Sequence, residues 1–162
     1  MSRDQSHRSW DFLPRRVGLL SGHILCPGGS LMHRQQNLVA AFHRAMGAPA
    51  AEKPTSLSPQ RIELRCRLID EEAGEFRDAA ARHEWFEMID ALVDLLYVTY
   101  GAAVEMGVDL DPFFEEVHQA NLRKIAATDG GKSIKPQGWS SPNIAAVHDR
   151  VYGAAPAPPG DG

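Results

Sequence analysis

The residues best suited to chemistry in this chain are carboxylates that recur at helical spacing. Between Glu84 and Glu105 the only charged residues are Glu87, Asp90 and Asp94, set in an otherwise apolar stretch. Steps of three and then four place them on one narrow stripe of a helix. A carboxylate in such surroundings is costly unless something cationic faces it. A second acidic set, Glu71, Glu72 and Glu75, lies upstream. Two antiparallel helices joined by a short turn near His83 would bring the sets face to face. Several carboxylate oxygens converging in one cavity suit hard divalent cations, which would restore charge balance and leave positive charge for a phosphate chain. Taken singly, Glu71-Glu72-x-x-Glu75 and Glu87 read as solvated helix surface, since charged residues are mostly exposed. Asp94 reads equally well as a structural acid bonded to a neighbouring Arg, His or Tyr.

The elements that must position these acids are helical. Leu31 to Met46 forms a first helix with Leu31, Leu38, Phe42 and Ala45 as its apolar stripe, stopped by Gly47 and Pro49. Ser58 and Pro59 supply an N-cap and a first-turn proline for a second helix that runs to about Arg82. Its apolar positions Ile62, Cys66, Ile69, Ala73, Phe76 and Ala80 predict one buried face, with Cys66 in the core. A third helix, about Glu84 to Met106, is apolar nearly all round and belongs at the centre of a bundle. Gly107 ends it. Asp111 and Pro112 cap a fourth helix reaching about Ala127, carrying Phe113, Phe114, Val117, Leu122 and Ile125. A loop over residues 128–141 precedes a short helix from Pro142 to Tyr152. No stretch alternates as a strand does. The expected fold is all-α, a bundle of four to five helices. Residues 1–29 read as a flexible extension, residues 30–152 as the helical domain and residues 153–162 as a disordered tail of Ala, Pro and Gly.

Composition narrows the function classes. The chain has 162 residues, 43% of them hydrophobic, with Lys+Arg 17 against Asp+Glu 21. Without a basic excess a nucleic-acid partner is not expected, and a nucleotide partner would be small and metal-neutralised. Cys26 and Cys66 have no metal or disulfide spacing, which sets a reduced, cytoplasmic location as the expectation. No apolar run reaches membrane-span length, so no membrane partner is expected. The segment Val17 to Leu25 follows Arg15 and Arg16. Its interruptions and the missing small-residue cleavage pattern argue against a signal peptide.

The motif Glu71-Glu72-x-x-Glu75, eleven intervening residues, then Glu87-x-x-Asp90 resembles the signature of the MazG-like, all-α nucleoside triphosphate pyrophosphohydrolases. The run EMIDALVDLLYVTYG over residues 87–101 is similar to the third helix of that family, and EVHQANLRK over residues 116–124 to its fourth. KPQGW at residues 135–139, followed by Pro142, is similar to the segment after it. The likeness covers about Met32 to Val151. It implies a bundle assembled as a homodimer or tetramer, dependent on Mg²⁺ with Mn²⁺ as a substitute. It implies cleavage of a nucleoside triphosphate between the α- and β-phosphates. By motif, Glu72, Glu75, Glu87 and Asp90 match the metal ligands, and Glu71 the outer acid that holds and deprotonates water. Asn121 and Lys124 match a polar pair reaching metal-bound phosphate. Lys135 and Trp139 match a late segment covering the nucleotide. Some relatives act on dUTP, which makes that nucleotide a candidate substrate.

Other signals carry less. Gly130 to Ser133 suggests a phosphate loop, but Ala126 stands where its first glycine should be and no strand precedes it. Glu115 and His118 have the spacing of di-iron bundles, yet no second such pair exists among the acidic helices. Gln36, Asn37 and His43 with Trp139 would frame a base, although a surface or packing role suits Gln36 and Asn37 better. Two further readings stay open: a phosphoribosyl-ATP pyrophosphohydrolase, and a non-catalytic helical assembly module.

Overall fold

A computed structural model describes residues 34–128 and 130–157. The proposed extension over residues 1–29 and the last residues of the proposed tail, 158–162, lie outside the described residues, as does the expected start of the first helix at Leu31. The described chain is all-helical: α1 Arg34–Ala45, α2 Pro59–Ala81, α3 Trp85–Met106, α4 Asp111–Leu122 and α5 Ile144–Tyr152. An isolated antiparallel bridge between Ile125 and Ile134 is the one strand-like pairing among the described residues. None of the described helices is long and apolar enough to cross a membrane.

Local chemistry sets the helix ends. Ser58 Oγ accepts from Arg61 N at the start of α2, with Pro59 in the first turn. Gly107 closes α3 in the left-handed region, φ 65°. Its N–H bonds Val104 O, and Val108 N bonds Ala103 O, the paired bonds of a Schellman cap. A Cβ at Gly107 would collide with the Lys53 carbonyl. That close approach lets Ala51 N and Thr55 N bond the last carbonyls of α3, Val104 O and Met106 O. The α2 end has the same pair of bonds, His83 N to Ala80 O and Glu84 N to Ala79 O, but His83 holds the left-handed position at φ 57°.

α2 and α3 run antiparallel and pack along their lengths, α1 packs on α3, and α4 packs on α5 rather than on α2 or α3. Gln36 ties the two parts together: its Nε2 donates to Val108 O at 2.6 Å and its Oε1 accepts from Leu110 N at 3.2 Å. Asp109 N donates to Tyr152 Oη at 2.7 Å. The start of α4 differs from expectation. Asp109, not Asp111, supplies the capping oxygen, accepting from Asp111 N at 3.0 Å. α4 also stops at Leu122, short of Ala127, because the chain beyond it turns into the Ile125–Ile134 bridge.

The buried faces differ from the apolar stripes read in the sequence. On α1 the buried residues are Gln36, Val39, Ala40 and His43, while Leu38 is 54% exposed. On α2 they are Arg65, Glu72 and Ala79, while Ile62 and Cys66 are exposed. Gln36, His43 and Arg65 hold inward positions because they are hydrogen-bonded there. His43 Nδ1 donates to Pro49 O at 2.7 Å, which leaves Nε2 as the acceptor facing the Arg65 guanidinium at 3.4 Å. Glu105, its side chain fully buried, accepts from Arg65 at 2.6 Å and from both Nε and a terminal nitrogen of Arg61. Gly101 makes room for this, since a Cβ there would stand 2.6 Å from Arg65 Nη1. α3 is most fully buried in its C-terminal half, at Val98, Gly101, Ala103, Val104 and Glu105, with Ala91 buried nearer its start. Nearer its start, Trp85, Phe86, Ile89, Leu92, Val93 and Leu96 form one exposed apolar stripe.

Candidate functional site

The face of α2 that carries Glu72 meets the polar stripe of α3. Glu72 is 3% exposed. Burial, then the negative charges of Asp94, Glu75, Glu71 and Asp90 in that order, push its carboxyl up to about 7. Acids from both helices therefore share one electrostatic neighbourhood, as the sequence spacing predicts. Asp94, weighed in the sequence as a structural acid, exerts the largest repulsion on Glu72. Glu71, Glu75, Glu87 and Asp90 are exposed around it.

The donor chemistry fits a hard cation. The groups are carboxylates in pairs one turn apart, and a buried member is strained by like charge. Among the described residues, no three such side chains converge closely enough to form a ready-made cage. The arrangement is an open acidic face with one buried anchor.

Two residues missed in the sequence belong to this region. A cleft of about 120 Å³ at the α2–α3 turn is lined by Glu75, Asp78, Ala79, Arg82 and Glu87. Asp78 and Arg82 continue the three-and-four stepping from Glu72 and Glu75, which is the signal that would have found them.

The four residues matched to the phosphate end gather elsewhere. Lys124 Nζ donates to Asn121 Oδ1 at 2.6 Å. The ammonium groups of Lys135 and Lys124 stand 4.5 Å and 5.6 Å from the Trp139 ring centre. Trp139 N bonds Pro136 O, and its indole N–H donates to Ala120 O at 2.9 Å. Asn121, Lys124, Lys135 and Trp139 thus form one cationic, aromatic cluster at the end of α4. Gln36 and His43, considered for framing a base, are buried and engaged with backbone or Arg65. Glu115 accepts from Gln119 at 2.7 Å and His118 is exposed, with no metal set around them.

An all-helical chain whose acids are shared across an antiparallel pair defines a class, that of the MazG-like helical pyrophosphohydrolases. The family model for phosphoribosyl-ATP pyrophosphohydrolase matches residues 39–121, and the chain belongs to that family. The match takes in every acid of the cluster together with Asp78 and Arg82. It ends at Asn121, so Lys124, Lys135 and Trp139 lie beyond it. A protein of Acanthamoeba polyphaga mimivirus, named only as uncharacterized, is 40% identical over 77 residues, which is 45% of this chain and 31% of the viral protein. The chain thus spans about a third of that relative's length.

Proposed function

We propose that this chain is a Mg²⁺-dependent pyrophosphohydrolase that cleaves a nucleoside triphosphate to the monophosphate and pyrophosphate. The observation that carries the reading is Glu72, buried among Glu71, Glu75, Asp90 and Asp94, where its own charge is disfavoured. Glu72, Glu75, Glu87 and Asp90 would hold Mg²⁺, with Mn²⁺ as a substitute. Bound there, the ion would polarise the phosphoryl oxygens and neutralise the leaving group. Glu71, exposed at the rim, would hold the attacking water and take its proton. The water oxygen bonds to the α-phosphorus, the bond from that phosphorus to the bridging oxygen breaks, and the bridge leaves with pyrophosphate.

Asn121, Lys124, Lys135 and Trp139 would engage the nucleotide, their lysines countering phosphate charge. Asn121 lies in the last turn of α4 and the other three follow it in the chain; α4 packs on α5 and not on α2 or α3. A second copy of the chain would bring this cluster to the acidic face. The exposed apolar stripe of α3, together with Phe114, Val117 and Leu122 on α4, favours such a homodimer or a tetramer built from it.

dUTP is the substrate we favour. A second reading, phosphoribosyl-ATP, is favoured by the family description matched over residues 39–121. The test is a panel of ribo- and deoxyribonucleoside triphosphates with phosphoribosyl-ATP, in Mg²⁺, with products resolved. Monophosphate plus pyrophosphate from dUTP is the expected result. Diphosphate plus phosphate would contradict the reading. Selective turnover of phosphoribosyl-ATP would install the second, and no turnover of any substrate would leave a helical assembly module.

A further inference from the structure

The cleft at the α2–α3 turn contains one cationic side chain, Arg82, beside Glu75 and Glu87 of the proposed metal-ligand set. Arg82 is the C-cap of α2, and its backbone N–H bonds Asp78 O and Ala80 O. The next two residues complete the locked reversal, so the Cα of Arg82 is fixed relative to both acidic helices. Its Nε donates to Glu84 Oε2 at 2.7 Å. A guanidinium carries five N–H donors, and that bond uses one, leaving the two terminal nitrogens for a planar, two-point contact. The Arg82 and Glu84 side chains are 57% and 45% exposed, so a bound anion reaches them from solvent.

A lone surface ion pair of this kind contributes little to stability. Its position gives it another use. A triphosphate lying on the acidic face carries more negative charge than the cluster tolerates without nearby cations. Lys124 and Lys135 lie in the chain just beyond α4, a helix that does not pack on α2 or α3. Arg82 is a cation that the same chain provides at the rim of the acids. Arg is also the side chain best matched to phosphate geometry.

We infer that Arg82 binds the two outer phosphates of the substrate, those that leave as pyrophosphate, with Glu84 holding its guanidinium over the cleft. This assignment rests on the pyrophosphohydrolase reading and adds a phosphate ligand to it. The hydrogen bond to Glu84, then the charges of Glu84, Asp78 and Glu87, favour the charged form of Arg82.

The probe is inorganic pyrophosphate in the presence of Mg²⁺, titrated calorimetrically into the full chain, Arg82→Ala and Arg82→Lys. Binding is expected to weaken by about tenfold or more in Arg82→Ala and by less in Arg82→Lys, as expected when a bidentate contact is lost. Nucleoside monophosphate should bind all three within about twofold, and melting temperatures should agree, because the side chain is exposed. Equal pyrophosphate affinity in the full chain and Arg82→Ala overturns the assignment, as does failure of the full chain to bind it. Turnover of the substrate panel reports separately on the pyrophosphohydrolase reading: an active chain with Arg82-independent pyrophosphate binding loses only the Arg82 assignment.

Discussion

Two buried glutamates, Glu72 on α2 and Glu105 on α3, show how environment divides one residue type between structure and chemistry. Both are nearly sealed from solvent, at 3% and 2% exposure. Burial alone would push either carboxyl up. At Glu105, hydrogen bonds from Arg65 and Arg61, with their charges, outweigh burial and hold the carboxyl below its ordinary value. At Glu72 the neighbours are acids, and burial plus Asp94, Glu75, Glu71 and Asp90 drive it to about 7. The paired end of the helix bundle locks α1, α2 and α3 together. The acidic end crowds like charges around Glu72, which a cation can relieve. The two ends also differ in covering: the Glu105 end is packed, while the stripe from Trp85 to Leu96 beside the acidic end is open.

The largest effect should come from breaking the paired end. Glu105→Gln leaves two guanidinium groups without their carboxylate, and chemical denaturation should show a loss of about 3–5 kcal/mol. A loss below about 1 kcal/mol would mean that the Arg–Glu–Arg cluster does not organise the helices. At the acidic end the opposite sign is expected. Glu72 has a folded value raised above the unfolded 4.5. Its favourable contribution is therefore complete below about pH 4.5 and lost as pH rises through about 7. In chelator at pH 8, Glu72→Gln should stabilise the chain by up to about 3 kcal/mol. Glu105 runs the other way: its stabilisation is present at neutral pH and lost as pH falls below the ordinary glutamate range. A metal-free stability profile should thus fall on both sides of mildly acidic pH.

The same contrast holds at the two helix caps, with smaller effects. Gly107→Ala combines a left-handed backbone with a collision at Lys53 O and should cost at least about 1–2 kcal/mol, read as a lowered melting temperature. His83 holds the equivalent position at the acidic end without glycine. His83→Gly should stabilise by about 1 kcal/mol. A drop in stability would show that the His83 side chain contributes contacts beyond the turn itself.

The helices were legible in the sequence because their stops are chemical. Ser58-Pro59, Gly107 and the Gly47–Pro49 segment mark boundaries that hold to within about two residues. The meeting of Glu72 and Asp90 was legible because helical spacing and a short turn leave few other arrangements. The buried faces were not. Counting apolar residues selects Ile62 and Cys66, whereas the structure buries Arg65, bonded to Glu105 of α3, and Glu72, which faces the acids of α3. Glu105 and Arg65 lie 40 residues apart, and nothing local to either announces the pair. The open stripe of α3 misled for a related reason: an all-apolar helix is expected inside its own bundle, and a single chain leaves half of it uncovered. Asn121, Lys124, Lys135 and Trp139 lie together at the end of α4, but their distance from the acids depends on where α4 packs, which periodicity does not specify.

The central claim is that Glu72 anchors an acidic face built to receive a divalent cation. Its most direct test is the titration of Glu72, followed by carbon-13 carboxyl resonances and assigned by Glu72→Gln, in chelator and then in Mg²⁺. The account predicts a midpoint near 7 in chelator, falling well below the ordinary carboxylate range when Mg²⁺ is added. A midpoint near 4.5 in chelator that Mg²⁺ does not move would contradict it.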